Sequence, residues 1–313
     1  MRILFLGASD FSAIVFNKLV EQYEVVAVVT PPDKEVGRGK GTKPCFLKVA
    51  ALEKGVQVLQ YNKVSKEGIE DIKALNIDLA ITAAFGQILS DEFLSIPKYG
   101  VFNVHASLLP KYRGASPIQA SIINGDTKTG ITIMKTVKEL DAGDIISQRE
   151  IEIENTDTAG SLFDKLADIG GDLLVETVKS LEDETITYTK QEGWDGTYCK
   201  MFKKEDGHLS FDKTFKQIDC FVRGMSPWPS ATVYFANSMC KIYQVSKVSD
   251  EIKGQIGEIV FADGKKGIQV QCKDGVISLD IIQRENSKRM PSQDFVRGYR
   301  ENLVGELIKW LNT

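Results

Sequence analysis

The sequence is poor in the patterns that mark several large classes of protein. It has two histidines and five cysteines in 313 residues, and no two of the cysteines have metal-ligand spacing. We therefore expect reduced thiols, as in the cytoplasm, and no metal site. No apolar run approaches the ~20 residues that a membrane-spanning helix needs. The net charge of -4 argues against a wholly basic nucleic-acid coat, but not against a local basic patch.

The spaced glycines of a dinucleotide-binding loop are missing from the first turn, which makes NAD binding an unfavoured interpretation. That turn follows the run Ile3–Leu6 and contains Gly7 and Asp10, and we expect Asp10 to cap the next helix. Short apolar runs then alternate with segments of helical spacing. This alternation predicts an α/β fold with a mostly parallel, Rossmann-like sheet. The predicted strands are Ile3–Leu6, Val25–Val29, Val56–Leu59, Leu79–Thr82 and Val101–Val104.

The pattern changes in the second half of the chain. A long amphipathic helix is expected within Thr156–Leu181, and a polar stretch follows it. Five short β-like runs between 230 and 282 then predict a small OB-like β-barrel, with a short helix expected over Leu303–Leu311. The predicted domains are therefore a catalytic domain at 1–182, a linker at 183–208 and a C-terminal domain at 209–313.

His105 is the most informative single residue, because it lies where the strand Val101–Val104 gives way to a loop. Histidine changes charge near neutral pH, and open α/β sheets bind their ligands at the carboxyl ends of their strands. Asn103 projects to the same side of the strand. An imidazole and a carboxamide at one strand end suit the stabilisation of a developing oxyanion. The alternative interpretation is a surface histidine beside a turn.

A carboxylate near His105 would orient the imidazole and favour its charged form. Asp141 and Asp144, in the segment Leu140–Ile146, both qualify, and both also suit turn capping. The residue pattern does not choose between them.

A glycine-rich basic loop follows the second strand, over 33–43. Its Lys34, Arg38, Lys40 and Lys43 could contact phosphates. The alternative is a solvated flexible loop.

Several motifs together carry a family resemblance. Asn103–Pro110 followed by Gly114, with Leu140–Gly143 downstream, resembles the signature of the folate-dependent formyltransferases. Further segments resemble the members of that family that formylate methionyl-tRNA. These segments are Val29–Asp33, Gly37–Lys40, Phe85–Leu89, Tyr112–Gln119 and Ser226–Pro229.

The resemblance implies transfer of the formyl group of 10-formyltetrahydrofolate to the α-amine of methionyl initiator tRNA. It implies a Rossmann-like catalytic domain, an OB-type C-terminal domain and a catalytic trio of Asn103, His105 and Asp141. The choice of Asp141 over Asp144 comes from the resemblance alone. Neither a covalent enzyme intermediate nor a metal is expected.

The resemblance also assigns binding residues. The walls of the folate site would be Ser107, Leu108, Leu109, Pro110, Phe85, Gly86, Gln87, Ile88 and Leu89. Contacts to tRNA would come from Arg38, Lys40 and Lys43, with Arg38 the leading candidate. Basic residues of the second half could add to them, namely Lys200, Lys203, Lys204, Arg284, Lys288 and Arg289.

This chain departs from the usual pattern in places. Ser9 replaces a proline, Phe85 stands where tyrosine is more frequent, and Gly193–Lys204 and Arg284–Arg289 diverge. Two alternatives stay open, a formyltransferase acting on an amino-sugar nucleotide and a non-catalytic RNA-binding protein. We expect a monomer that acts in the cytoplasm, away from membranes.

Overall fold

The computed structural model describes residues 1–36, 41–194 and 198–308. The chain divides into two compact units, and each unit is assembled from three segments. The first unit contains Met1–Pro117, Lys128–Glu152 and Phe163–Lys200. The second contains Ile118–Thr127, Ile153–Leu162 and Met201–Thr313.

The first unit holds most of the predicted α/β elements. Its strands are β1 Ile3–Gly7, β2 Val25–Thr30, β3 Lys34–Val36, β4 Gly41–Lys43, β5 Gln57–Gln60, β6 Leu79–Ala83, β7 Val101–His105, β8 Arg113–Gly114, β9 Lys128–Lys135, β10 Ile145–Glu152 and β11 Tyr198–Cys199. Its helices are α1 Asp10–Val20, α2 Phe46–Glu53, α3 Val64–Glu67, α4 Ile69–Ala74 and α5 Asp91–Leu94. The chain passes between the units within α6 Pro117–Ile123 and α7 Ala159–Glu182.

A seven-stranded sheet in the order β10-β9-β7-β6-β1-β2-β5 forms the centre of this unit. The five strands from β7 to β5 are parallel, whereas β9 and β10 are antiparallel to their neighbours. Every residue of β1 and β6 is buried, as expected for parallel strands covered on both faces. The chain builds the sheet outward from β1 in one direction and then from β6 in the other. The switch between these two strands is where open α/β sheets bind ligands.

The second unit is built on an antiparallel sheet. Its main elements are α8 Phe215–Gly224, β12 Ala231–Phe235, β13 Ser238–Ser249, β14 Ile259–Asp263, β15 Gly267–Cys272, β16 Gly275–Arg284, β17 Met290–Pro291 and α9 Ser292–Gly298. The strand order is β12-β13-β16-β15-β14, and β17 pairs with β16. The predicted fold class is confirmed, because a mostly parallel, Rossmann-like α/β sheet is followed by an antiparallel C-terminal domain.

Two local predictions were wrong. The cap of α1 is Ser9, which exchanges hydrogen bonds with Ser12 in a capping box, and Asp10 is the first helical residue. The expected helix over Leu303–Leu311 is absent from its described part, 303–308. There Ile308 N donates to Gly257 O and Ile259 N donates to Glu306 O, so backbone pairing beside β14 replaces helical bonds. Within the described residues, no helix is both long and apolar enough to cross a membrane.

Candidate active site

The candidate site lies at the carboxyl edge of the parallel strands. Gly7, Ala83 and His105 are the last residues of β1, β6 and β7, which are adjacent in the sheet in the order β1-β6-β7. Gly7 is required by close packing, because a Cβ there would lie 2.5 Å from Ser12 Oγ and 2.8 Å from Ala83 O. Ser12 Oγ also donates to Ala83 O at 2.6 Å. The start of α1 is thereby fixed to the end of β6, next to the strand that ends at His105.

His105 is buried, with 6% of its side chain exposed, and both of its ring nitrogens face protein oxygens. Nε2 is 2.9 Å from Tyr112 O. A carbonyl only accepts hydrogen bonds, so Nε2 must carry a proton. Nδ1 is 3.7 Å from Asp141 Oδ2, a separation at which the two groups form an ion pair if Nδ1 is protonated as well.

Asp141 is held in an uncommon backbone conformation. Its φ is +49°, in the left-handed region, where a non-glycine residue is strained unless its surroundings hold it. Its Oδ2 accepts a 2.8 Å hydrogen bond from Gly114 N, which aims the carboxylate toward the loop after β7. Asp144, the other candidate, accepts at its backbone oxygen from Lys135 N. The structure therefore brings Asp141 to the imidazole.

The orientation of the Asn103 amide is set by a residue that no sequence motif indicated. Thr82, on β6, donates from its hydroxyl to Asn103 Oδ1 at 2.9 Å and lies 3.3 Å from Phe102 O. Asn103 Nδ2 donates no hydrogen bond to any described residue, so the donor end of this amide remains available to a ligand. A threonine one strand away gives no local sequence signal of this contact.

The segment Ser107–Pro110 is fixed by β9 and β10. Thr132 Oγ1 donates to Ser107 O at 2.6 Å and accepts from Leu109 N at 3.1 Å. Gln148 Nε2 donates to Leu109 O and to Thr132 Oγ1, both at 2.9 Å. Leu108 is half-buried and Leu109 is buried. The backbone of the loop that leaves the His105 strand is thus held in place by side chains of β9 and β10.

The segment Phe85–Leu89 divides into buried anchors and exposed positions. The side chains of Phe85 and Leu89 lie in the hydrophobic core, and Gln87 accepts from Val64 N and donates to Tyr61 O. Gly86 is exposed and Ile88 is 88% exposed. None of the five backbone N–H groups donates a hydrogen bond to a described residue. These N–H groups, with Ile88, are the parts of the segment that can meet a ligand.

The basic loop is described only in part. Arg38 and Lys40 lie outside the described residues. Lys43 is exposed on β4, and the β3–β4 hairpin pairs it directly with Lys34. Like charges opposite each other destabilise a hairpin, and a polyanion would relieve that repulsion.

No sequence motif indicated a group of residues that lies around Gly114 either. Arg113 is buried, its guanidinium lies 4.4 Å from the centre of the Trp194 ring, and it bonds to the side chain of Gln191. Cys199 donates from Sγ toward Tyr112 O at 3.4 Å, and burial raises the pKa of its thiol. Gln191 and Cys199 lie in the stretch predicted as a linker, yet both contact the loop that bonds His105. Their partners are 48 to 87 residues away, a separation that no short motif spans.

In the described part of the chain, no cluster of three or more His, Cys, Asp or Glu side chains could hold a metal ion. The donor chemistry of the site consists of one carboxylate, one imidazole, one carboxamide and free backbone N–H groups. This set suits a reaction in which a carbonyl oxygen gains negative charge.

Comparison with protein families gives two matches. Residues 1–178 match the model described as "Formyl transferase". Residues 201–300 match the model described as "Formyl transferase, C-terminal domain".

Individual relatives agree with these matches. The chain is 42% identical over 303 residues to the methionyl-tRNA formyltransferase of Sulfurihydrogenibium sp., an alignment that covers 96% of this chain and 97% of the relative. Among solved structures, HypX from Aquifex aeolicus in complex with tetrahydrofolic acid is similar with a TM-score of 0.65 and 17% identity, covering 99% of this chain and 51% of that one. An N-formyltransferase from Helicobacter canadensis, in complex with folinic acid and dTDP-3-aminofucose, has a TM-score of 0.65 and 19% identity, covering 92% and 99% of the two chains. At these identities the two structures support the fold only.

Proposed function

The chain belongs to the formyl transferase family, and on this premise we propose that it transfers the formyl group of 10-formyltetrahydrofolate to the α-amine of methionyl initiator tRNA. The product is N-formylmethionyl-tRNA, which serves translation initiation. The choice of acceptor is supported by the 42% identity to a methionyl-tRNA formyltransferase over nearly the full length of both chains. The observation that carries the chemistry is the approach of Asp141 Oδ2 to His105 Nδ1, 3.7 Å apart at the carboxyl edge of the sheet.

Asn103, His105 and Asp141 are the proposed catalytic residues. As the amine attacks, negative charge develops on the formyl oxygen, and a hydrogen-bond donor aimed at such an oxygen contributes about 3 kcal/mol. Asn103 Nδ2 is the donor already available. Donation from His105 Nε2 requires that its bond to Tyr112 O be shared with the substrate or exchanged for it. Asp141 orients the imidazole and takes the proton of the attacking amine through water.

The folate site is proposed to lie between Phe85–Leu89 and Ser107–Pro110. Backbone N–H groups of Phe85–Leu89, which donate to no described residue, fit the polar edge of a pterin, and the exposed Ile88 side chain can exclude water from the bound molecule. When bound, the folate would supply a formyl group on a nitrogen. The bond from the formyl carbon to this nitrogen breaks as the bond to the amine forms, and the departing nitrogen receives the proton taken from the amine. Phe85 and Leu89 act through their backbone, because their side chains belong to the core.

The β3–β4 hairpin is the proposed contact to the acceptor end of the tRNA. The support is the direct pairing of Lys34 with Lys43, together with Arg38 and Lys40 in the sequence between them. Phosphate contacts of this kind bring affinity that falls as salt rises. In the second unit, Arg289 lies over the ring of Tyr243 at 3.6 Å, an arrangement that leaves a flat cationic surface for nucleic acid.

Transfer of labelled formyl from 10-formyltetrahydrofolate to charged initiator tRNA tests the proposal, with the His105→Ala protein as the comparison. We expect labelled methionyl-tRNA with the unaltered chain and none above background with the variant. Labelling of an amino-sugar nucleotide in place of the tRNA would replace the proposed acceptor. Absence of any formyl transfer from a folded, folate-binding chain would leave an RNA-binding protein as the better interpretation.

Two finer elements belong to this proposal. The chain acts in the cytoplasm, which agrees with the five free cysteines, and it acts as a monomer. Sedimentation of the chain alone and with tRNA tests the second element, and a dimer at assay concentrations would contradict it.

A further inference from the structure

Gln191 joins two loops that also meet at the hydrogen bond from Gly114 N to Asp141 Oδ2. Its Oε1 accepts from Arg113 Nε at 2.9 Å and from Arg113 Nη2 at 2.8 Å. Its Nε2 donates to Asp141 O at 2.8 Å and to Gly143 O at 2.7 Å. The amide therefore uses two acceptor positions and two donor hydrogens, and its orientation is unambiguous because arginine only donates and a carbonyl only accepts.

The two loops held by Gln191 are the ones that contact His105. The Arg113 loop contains Tyr112, whose carbonyl bonds Nε2 of the imidazole, and Gly114, whose N–H bonds the Asp141 carboxylate. The other loop contains Asp141 itself. A shift of either loop relative to the other would change the distance from Asp141 Oδ2 to the imidazole.

The Asp141 turn needs such support. Asp141 is in the left-handed region. Two residues later, a Cβ on Gly143 would lie 1.7 Å from Lys135 O, so this backbone passes very close to β9. The two hydrogen bonds from Gln191 fix the carbonyls on either side of the turn.

We propose that Gln191 is a positioning residue for formyl transfer, which holds Asp141 against His105 by clamping the Asp141–Gly143 turn to the Arg113 loop. The proposal rests on the proposed function for its kinetic part. Gln191 contacts Arg113, Asp141 and Gly143, and it acts on the reaction through Asp141.

Gln191→Glu is the sharpest test, because glutamate keeps the size and the bonds to Arg113 but presents an oxygen to the two carbonyls. Misplacing a catalytic group by about 1 Å can cost roughly 100-fold in rate. We expect kcat to fall by roughly 10-fold with KM for both substrates changed by less than about twofold. In an Asp141→Asn background, where the carboxylate is already lost, the same substitution should lower kcat by less than about twofold.

Gln271→Glu is the matched control. Gln271, in the second unit, also accepts two hydrogen bonds and donates two to backbone carbonyls, and its replacement should leave kcat unchanged. If Gln191→Glu does not fold, Gln191→Asn keeps both ends of the amide on a shorter side chain and carries the same kinetic expectation. An unchanged kcat, or an equal loss in the Asp141→Asn background, would overturn the proposal.

A readout independent of activity separates this proposal from the proposed function. The chain has two histidines, so their imidazole nitrogen resonances can be assigned by substituting either one. Gln191→Glu should move the His105 resonances and leave those of His208 unchanged. Unmoved His105 resonances would overturn the positioning role whatever the enzyme transfers, whereas moved resonances without formyl transfer would contradict the proposed function only.

Discussion

Gln191 and Gln271 use the same side-chain amide in the same way, but the backbones that they hold differ. Gln271, which is 1% exposed, accepts from the N–H groups of Lys253 and Gly254 and donates to the carbonyls on either side of a tight hairpin. It links the segment before β14 to the hairpin between β15 and β16. Gln191 is half-buried and links two loops that carry the partners of His105.

The same contrast runs through other pairs of residues. His105 has both ring nitrogens at protein oxygens, in a site where the Asn103 amide donates to no described residue. His208, by contrast, pairs through its backbone with Thr232 in an isolated β-bridge. A hydrogen bond that closes a sheet contributes to stability, whereas one that aims a functional group contributes to rate. The two units differ in which of these purposes their buried polar groups serve.

The histidines give the largest expected difference. We expect His105→Gln to lower kcat by 10²- to 10³-fold, because a donor to the formyl oxygen and the partner of Asp141 are both lost. His208→Gln should change kcat by less than about twofold. Steady-state formylation kinetics and circular dichroism of both variants check this pair. A folded His105→Gln protein with full activity would contradict the proposed mechanism.

The threonines sharpen the comparison at a smaller scale. Thr82→Val removes the hydroxyl that bonds Asn103 Oδ1 and keeps the shape of the side chain. The amide can then turn its oxygen toward the substrate, and we expect kcat to fall by roughly 10-fold with little change in KM. Thr232→Val removes a hydroxyl that lies 3.3 Å from Gly207 O and 3.4 Å from His208 Nδ1, and it should leave kcat unchanged. Equal losses in the two variants would remove the distinction between the units.

The Thr82 contact also marks the limit of what the sequence predicted. The alternation of strand and helix patterns predicted the α/β fold, because the burial of one or both faces of an element gives its apolar residues a recognisable spacing in the sequence. The motifs around His105 and Asp141 were recognisable because their residues are contiguous. Thr82 and Asn103 are 21 positions apart, and Gln191 and Asp141 are 50 positions apart. Such bonds depend on strand order and loop packing, which a residue pattern does not encode.

The prediction of a helix in the C-terminal segment was wrong for a related reason. Its apolar spacing is helical, but Gly305 adopts a φ of +91° and its N–H bonds Ile259 O. Backbone pairing with β14 outweighed the weak local preference of this segment for a helix. Where the chain had a long, strongly amphipathic pattern, as in α7, the prediction and the structure agree.

We expect Gln271 to matter more than Gln191 for thermal stability, the opposite of their ranking for kcat. Gln271→Ala removes the hydrogen bonds that the amide makes to two buried carbonyls and two part-buried N–H groups, and each group left unsatisfied costs about 1–3 kcal/mol. Gln191 is less buried, so Gln191→Ala should lower the melting temperature less than Gln271→Ala while lowering kcat more. Thermal unfolding followed by circular dichroism, together with kinetics on the same samples, measures both effects. A Gln271→Ala protein as stable as the unaltered chain would show that its bonds are not needed by the sheet.

The cysteines give the smallest effect, because it appears only in alkaline solution. Burial raises the pKa of Cys199 above the ordinary thiol value of 9.0, and it raises that of Cys240 in the second unit to about 11. A folded-state pKa above the unfolded value means that the neutral thiol stabilises the fold fully below pH 9 and that this contribution is lost as the pH rises through about 11. The melting temperature should therefore fall over that range, and it should fall less steeply in Cys240→Ala. Since neither thiol has a part in the proposed chemistry, formyl transfer at pH 7.5 should be unaffected by Cys240→Ala, and an altered kcat would break the separation of roles between the two units.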